Sequence, residues 1–210
     1  RKSLMKRTQV LLFSASISNK TIKQANTITY NPVIYELSKE NKELIPKTIK
    51  HIFIISDRRE RIETLRKIAK AVNSDKTMIF INTKYDLEES LQKLQYHNYN
   101  VAALAGNIDK QSKKKAVEDF QNGRLQYLLA TDVAARGLQI DHVSTVINVN
   151  LPEEPTEYLH RAGRCGRNNE QGLCISIITE NELNKIKKYQ KAFNINIVQK
   201  RLYNGKIVSK

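Results

Sequence analysis

Six short apolar runs constrain the fold of this chain more than any other feature. They cover residues 49–55, 77–81, 100–104, 125–130, 144–149 and 173–179, each nearly unbroken in apolar side chains. A strand that is apolar on both faces must be covered on both faces. Amphipathic stretches lie between the runs. Residues 57–72 carry Ile62, Leu65, Ile68, Ala69 and Val72 at helical spacing, and 85–96 carry Leu87, Leu91 and Leu94. Residues 109–120 form a third, stopped by Asn122-Gly123. Pro155 opens a fourth, where a first helical turn tolerates proline, and it runs to Ala162. Residues 181–193 read as a closing helix, and 195–198 can add an edge strand. Strands alternating with helices of this length predict right-handed βαβ crossovers. The expected fold is α/β, a mainly parallel sheet flanked by helices on both faces.

Residues 1–43 read differently. Strands are expected at 10–13 and 32–37 around a polar helix near 19–29, followed by a charged polar linker at 38–43. That is one βαβ unit, too short for a core of its own. It reads as the end of an upstream domain plus a linker, with 44–210 as the main domain. The chain starts at Arg1 rather than Met, so a segment upstream is expected.

Charge narrows the partner. The chain holds 36 Lys+Arg against 21 Asp+Glu, a net +15, which is expected of a nucleic-acid binder. An acidic membrane surface is the rival, but no amphipathic basic helix stands out for it. No apolar run nears the ~20 residues of a membrane span, and the basic N-terminus lacks an apolar signal core. Cys165 and Cys174 are the only cysteines and show no metal-ligand spacing. The expectation is a reduced, cytoplasmic protein without structural zinc and with no metal site of its own.

In open α/β sheets, ligands bind beyond the carboxyl ends of the strands. Small or hydrogen-bonding residues recur at such ends: Ser14-Ala15-Ser16, Asn82-Thr83, Ala105-Gly106-Asn107 and Thr131-Asp132. The recurrence points to a binding surface along one rim. Residues 133–136 can form a short helical turn closed by Gly137 and capped by Thr131 or Asp132. Its free N–H groups would then face an anion.

The densest chemistry lies in His160-Arg161-Ala162-Gly163-Arg164-Cys165-Gly166-Arg167. Arginines recur there at steps of three, with glycines between. The planar guanidinium matches phosphate oxygens, and a cluster of them suits a transferring phosphoryl group. The preceding helix has to stop near Gly163, leaving His160, Arg161 and Arg164 where the helix dipole favours cations. No carboxylate lies nearby in sequence, so the arginines are assigned an external partner such as a phosphate.

With these residues in view, the whole chain resembles the C-terminal half of a DEAD-box RNA helicase, a superfamily 2 protein built of two RecA-like domains. Ser14-Ala15-Ser16 is similar to the Ser-Ala-Thr motif ending the first such domain. Residues 78–84, Met-Ile-Phe-Ile-Asn-Thr-Lys, resemble motif IV. Residues 130–137, Ala-Thr-Asp-Val-Ala-Ala-Arg-Gly, resemble motif V, and His160 to Arg167 resemble motif VI, its leading His being the DEAD-box form. The resemblance implies that Arg164 and Arg167 are arginine fingers reaching ATP, held with Mg²⁺ mainly on the first RecA-like domain. It implies that Arg161 and His160 link that site to Ser14, Ser16 and the interdomain contacts. RNA phosphates would meet Thr131, Asp132 and the Gly106 backbone, with Asn82 and Thr83 beside them. Phe80 would either support the arginine loop from beneath or be a plain core aromatic.

The chain departs from the family pattern at several points. Ala105-Gly106-Asn107 stands for the usual His-Gly-Asp, and Lys110 and Lys113 for the usual Gln and Arg, keeping charge without the bidentate fork. Gln139 replaces the motif V Asp that touches the ATP ribose; Asp141 follows, and Gly137 precedes them. Ser16 keeps the hydroxyl of the usual Thr. No GxxxxGK[ST] phosphate loop and no Asp-Glu-Ala-Asp tetrad occur, so these 210 residues lack a complete ATPase site. Two other readings compete. A non-catalytic RNA-binding or adaptor module is favoured by the basic residues of 181–210, and a DNA translocase of the same superfamily is disfavoured by His160.

Overall fold

A computed structural model describes residues 9–13, 19–35, 45–105, 108–138, 140, 142–167 and 169–209. The chain divides into two compact units, Arg1–Lys42 and Glu43–Lys210. In the first, the polar helix appears as α1, Asn19–Ile28. The described parts of the two strands expected around it show no strand structure, at 10–13 and 32–35, and Leu11, Leu12, Phe13 and Tyr35 are exposed; residues 36–37 and the expected linker at 38–43 lie outside the described residues. Apolar runs become strands only where neighbouring strands satisfy their backbone, and this unit supplies none among its described residues.

Among the described residues, the second unit contains all the regular strands. Its elements are β1 (Ile49–Ile55), α2 (Arg61–Val72), β2 (Thr77–Phe80), α3 (Lys84–Tyr96), β3 (Val101–Leu104), α4 (Lys110–Gln121), β4 (Tyr127–Ala130), α5 (Asp132–Ala135), β5 (Thr145–Asn148), α6 (Pro155–Ala162), β6 (Gly172–Ile178), α7 (Leu183–Phe193), β7 (Ile197–Tyr203) and β8 (Lys206–Ser209). The sheet order is β3-β4-β2-β5-β6-β1-β7-β8. Every pairing is parallel except β7 with β8.

Both faces of the sheet are covered, as the unbroken apolar runs require. On one face Leu65, Ile68 and Ala69 of α2 and Leu87 and Leu94 of α3 pack on Ile52, Ile79 and Ile147. On the other, Phe120 of α4, Tyr158 and Leu159 of α6, and Ile186 and Phe193 of α7 pack on Phe53, Phe80 and Val146.

Local chemistry sets the helix ends. The Thr83 hydroxyl accepts from the Asp86 N–H at 3.1 Å, and the Asp109 carboxylate accepts from Gln111 and Ser112. The segment expected to open α2 at residue 57 is instead a 3₁₀ turn, Arg58–Glu60, and the α-helix begins at Arg61. The closing helix likewise begins with a 3₁₀ turn, Glu180–Glu182, held by a capping box between Thr179 and Glu182. The edge strand expected at 195–198 extends to Tyr203 and turns back through Asn204-Gly205 into β8.

Candidate functional site

The parallel register sets three strand ends side by side. Phe80 of β2 stands opposite both Ala130 of β4 and Asn148 of β5. Immediately beyond lie Asn82-Thr83, Thr131-Asp132 and Asn150. Thr131 caps α5, accepting from the Ala134 N–H at 3.3 Å. That leaves the Asp132 carboxylate for another partner.

Arg161 is that partner. It sits in the last turn of α6, is 1% exposed, and reaches across all three strand ends. Its Nε donates to Asp132 Oδ1 at 2.7 Å, and Nη2 donates to Asp132 Oδ2 at 2.6 Å and Asn82 Oδ1 at 2.9 Å. Nη1 donates to Asn148 Oδ1 at 3.2 Å and to the Asn150 carbonyl at 2.7 Å. A guanidinium has five N–H donors, and these bonds use all of them. Its carbon lies 5.1 Å from the Phe80 ring centroid. Phe80, 2% exposed, is thus a core aromatic, and the arginine it underlies is Arg161 in α6 rather than the loop that follows.

This corrects the assignment of an external partner to Arg161. Its carboxylate comes from Asp132, distant in sequence but brought adjacent by the β4–β2–β5 register. With all five donors engaged, Arg161 ties the three strand ends together. The side-chain oxygens of Asn82 and Asp132 are engaged in the same network.

Arg164 and Arg167 are placed differently. α6 ends at Gly163, and both arginines follow in a partly exposed loop. Arg164 Nη1 donates to the Leu138 carbonyl at 2.7 Å. Arg167 donates through Nε to the Gly163 carbonyl at 3.1 Å and through Nη1 to the Ile140 carbonyl at 3.4 Å. Burial lowers the Arg164 pKa, and the neighbouring Arg167 charge lowers it further. An anion nearby would favour the charged form of the partly desolvated Arg164. A phosphoryl group therefore fits these residues.

The loop is held by close backbone approach. Gly166 has φ +66°, and a Cβ there would meet Ile49 Cγ1 at 2.5 Å. A Cβ on Gly172 would lie 2.8 Å from the Gly166 nitrogen. Gly172→Ala should therefore cost about 1–3 kcal/mol by overpacking, read as a lower urea midpoint at unchanged m.

Of the remaining predicted residues, His160 and Lys110 are exposed, Lys113 is half-buried in the first turn of α4, and Gly137 follows α5 with φ +72°. Ser14, Ser16, Gly106, Gln139 and Asp141 lie outside the described residues. No group of three His, Cys, Asp or Glu that could hold a metal occurs among the described residues, nor is any helix long and apolar enough to cross a membrane.

Sequence reasoning missed Asn148, which is 0% exposed. Its signal was available: a polar residue interrupting the apolar run at 144–149 needs a buried partner. It also missed His51, 5% exposed, whose Nδ1 lies 2.9 Å from the Tyr158 hydroxyl while Nε2 has no partner. Burial lowers the His51 pKa from 6.5 to about 4. The unfolded state then binds the extra proton, so stability rises with pH between about 4 and 6.5 and is full above that window. This one group should contribute roughly 3 kcal/mol across the window. Urea melts at pH 7 and pH 5 should show the loss on acidification, and His51→Gln should flatten it.

A model of the helicase conserved C-terminal domain matches residues 60–169, more than half of the chain and the span from α2 through the arginine loop. This chain belongs to the DEAD-box helicases, through their conserved C-terminal domain. The DEAD-box ATP-dependent RNA helicase CshC of Bacillus cereus is 32% identical over 99% of this chain and 52% of its own length. The ATP-dependent RNA helicase RhlB of Pseudomonas putida is 34% identical over 83% of this chain and 43% of its own. Among solved structures, S. cerevisiae Dbp5 bound to RNA and ADP BeF3 superposes with a TM-score of 0.84 at 28% identity, covering 95% of this chain and 53% of that one. A DEAD box protein from Methanococcus jannaschii gives a TM-score of 0.66 at 26% identity. The RecA-like fold of this DEAD-box domain follows from these neighbours together with the eight-stranded, mostly parallel sheet. The domain's chain spans about half the length of the relatives it matches.

Proposed function

We propose that this chain is the C-terminal half of a cytoplasmic ATP-dependent RNA helicase, and that it supplies the arginines for ATP hydrolysis on a first RecA-like domain. Residues 1–43 are the end of that first domain plus the linker, and 44–210 form the second. The observation that carries the reading is the division of labour in the octet. Arg161 is consumed by the rim, whereas Arg164 and Arg167 hold two adjacent charges in a partly exposed loop. Such a pair suits the charge that develops on a transferring phosphoryl group.

The residues divide by role. Arg164 and Arg167 meet the phosphates, with Gly137, Gln139 and Asp141 on the nucleotide side. Thr83, Thr131, the Gly106 backbone, Lys110 and Lys113 meet RNA phosphates, while Asn82 and Asp132 act there through Arg161. His160, Ser14 and Ser16 serve contact between the domains. When bound, ATP with Mg²⁺ supplies the phosphoryl group to be transferred. The phosphate cradle and the Mg²⁺ ligands belong to the first domain. Support comes from relatives named as ATP-dependent RNA helicases and from a structural neighbour bound to RNA and ADP BeF3. Closure of the two domains on RNA and ATP then strains a short duplex until its strands separate.

RNA affinity of this chain should fall linearly with the logarithm of salt concentration, by about 0.7 log unit of affinity per log unit of salt for each phosphate neutralised on a single strand. Fluorescence anisotropy with a labelled RNA between 50 and 300 mM salt measures the slope. Binding insensitive to salt would overturn the backbone-phosphate reading.

A further inference from the structure

The basic closing segment has no part in the site described above. Residues 181–210 hold eight Lys/Arg and one acid, Glu182. Its last two strands form the antiparallel hairpin at one edge of the sheet. Pairing sorts the hairpin by face. Leu202 stands opposite Ile207, and both pack on the core layer under α2 and α3. Arg201 stands opposite Val208 and Tyr203 opposite Lys206, so these lie on the other face. α7 covers that face at Ile197, which shares a core cluster with Phe193.

Beyond Ile197 the face is open among the described residues. Tyr203 is 58% exposed, and Arg201 and Lys206 are exposed. The Arg201 guanidinium carbon lies 5.6 Å from the Tyr203 ring centroid. A flat π surface carrying a stacked guanidinium, with a lysine alongside, is the combination that holds single-stranded nucleic acid.

Its position fits as well. β7 runs parallel to β1, with Ile54 opposite Lys200, so the Tyr203–Lys206 turn stands at the carboxyl end of the sheet. Asn82 and Thr131 stand at that same end. Six strand positions separate β8 from β4 in the sheet order, roughly 30 Å along the rim.

We propose that this hairpin face is a second contact for single-stranded RNA, in which Tyr203 and Arg201 stack on bases and Lys206 meets a phosphate. The proposal rests on the RNA-binding reading above and extends the path of the strand along the rim. RNA is favoured over an acidic protein because an acidic chain would use the charge but not the exposed ring.

The test compares this 210-residue chain with an Arg201→Ala/Tyr203→Ala variant on labelled oligouridines of about five and about twenty nucleotides. The longer RNA should bind the variant about ten-fold more weakly, with the short RNA unchanged. Tyr203→Phe keeps the ring and should keep the affinity. Equal loss on both RNAs, or no loss on the longer one, would overturn the second contact. Displacement of the longer RNA by polyglutamate as effective as by unlabelled RNA would transfer the face to an acidic protein partner. If the unaltered chain binds neither RNA, the RNA-binding reading fails and takes this proposal with it.

Discussion

Replacing Arg164 or Arg167 with alanine, in a protein that joins this domain to its ATP-binding half, should lower kcat by about 10³–10⁵. RNA affinity should stay within about two-fold. The asymmetry follows from the geometry. Both arginines sit in the loop after α6, held by main-chain carbonyls of residues 138, 140 and 163. The residues assigned to RNA phosphates, Thr83 and Thr131, instead cap α3 and α5. Single-turnover hydrolysis with saturating RNA measures the first quantity, and RNA titration without nucleotide measures the second. An equal loss in both would remove the finger role. Arg→Lys should recover little, because a point charge cannot form the bidentate fork. The chain alone, lacking a phosphate loop, should show no RNA-stimulated turnover.

The second large effect is on stability. Arg161→Ala should destabilise the domain by about 3–5 kcal/mol, the usual cost of removing one partner from a buried ion pair. The removal leaves more than the Asp132 carboxylate unmatched. Asn148, fully buried, loses the donor to its Oδ1 and keeps only Ser176 Oγ at 3.3 Å and Cys174 Sγ at 3.6 Å as acceptors for its Nδ2. Chemical denaturation of Arg161→Ala gives the loss directly. Pairing it with Asp132→Asn in a double-mutant cycle isolates the ion pair from the amide bonds. A loss below about 1 kcal/mol would mean that the strand ends hold themselves together without the arginine.

Much of this architecture is legible in the sequence because burial on both faces leaves unbroken apolar runs. β1, β2, β4 and β6 all follow such runs, and the Pro155 and Gly163 boundaries of α6 follow from proline and glycine chemistry. The two failures in residues 10–13 and 32–35 share a cause. Apolar spacing records that a segment can be a strand, but pairing needs a neighbour that these residues do not contain. The β7–β8 hairpin carries its own signal in Asn204-Gly205. Asn204 and Gly205 adopt φ of 47° and 73°, the pair of positive angles that Asn-Gly favours in a two-residue hairpin turn.

The candidate site was legible in kind but not in wiring. Motif-like residues announced a phosphate-handling loop, yet nothing in sequence spacing distinguishes Arg161 from Arg164. The difference arises from tertiary geometry: one guanidinium falls inside the ring of Asp132, Asn82 and Asn148, and the other falls outside it.

The saturated guanidinium of Arg161 also limits how this family can diverge. Lysine offers three donors to acceptors that take five bonds, and no other side chain carries a fork. Any single replacement at Arg161 leaves a neighbour's polar atom stranded, and replacing Asp132 or Asn148 leaves the arginine short. Replacing Arg161 without stranding a polar atom therefore takes concerted changes just beyond β2, in α5, at the end of β5 and in α6. At Lys110 and Lys113, by contrast, an exposed or half-exposed side chain can change without disturbing the packing beneath it, and the constraint there is the RNA contact proposed for them.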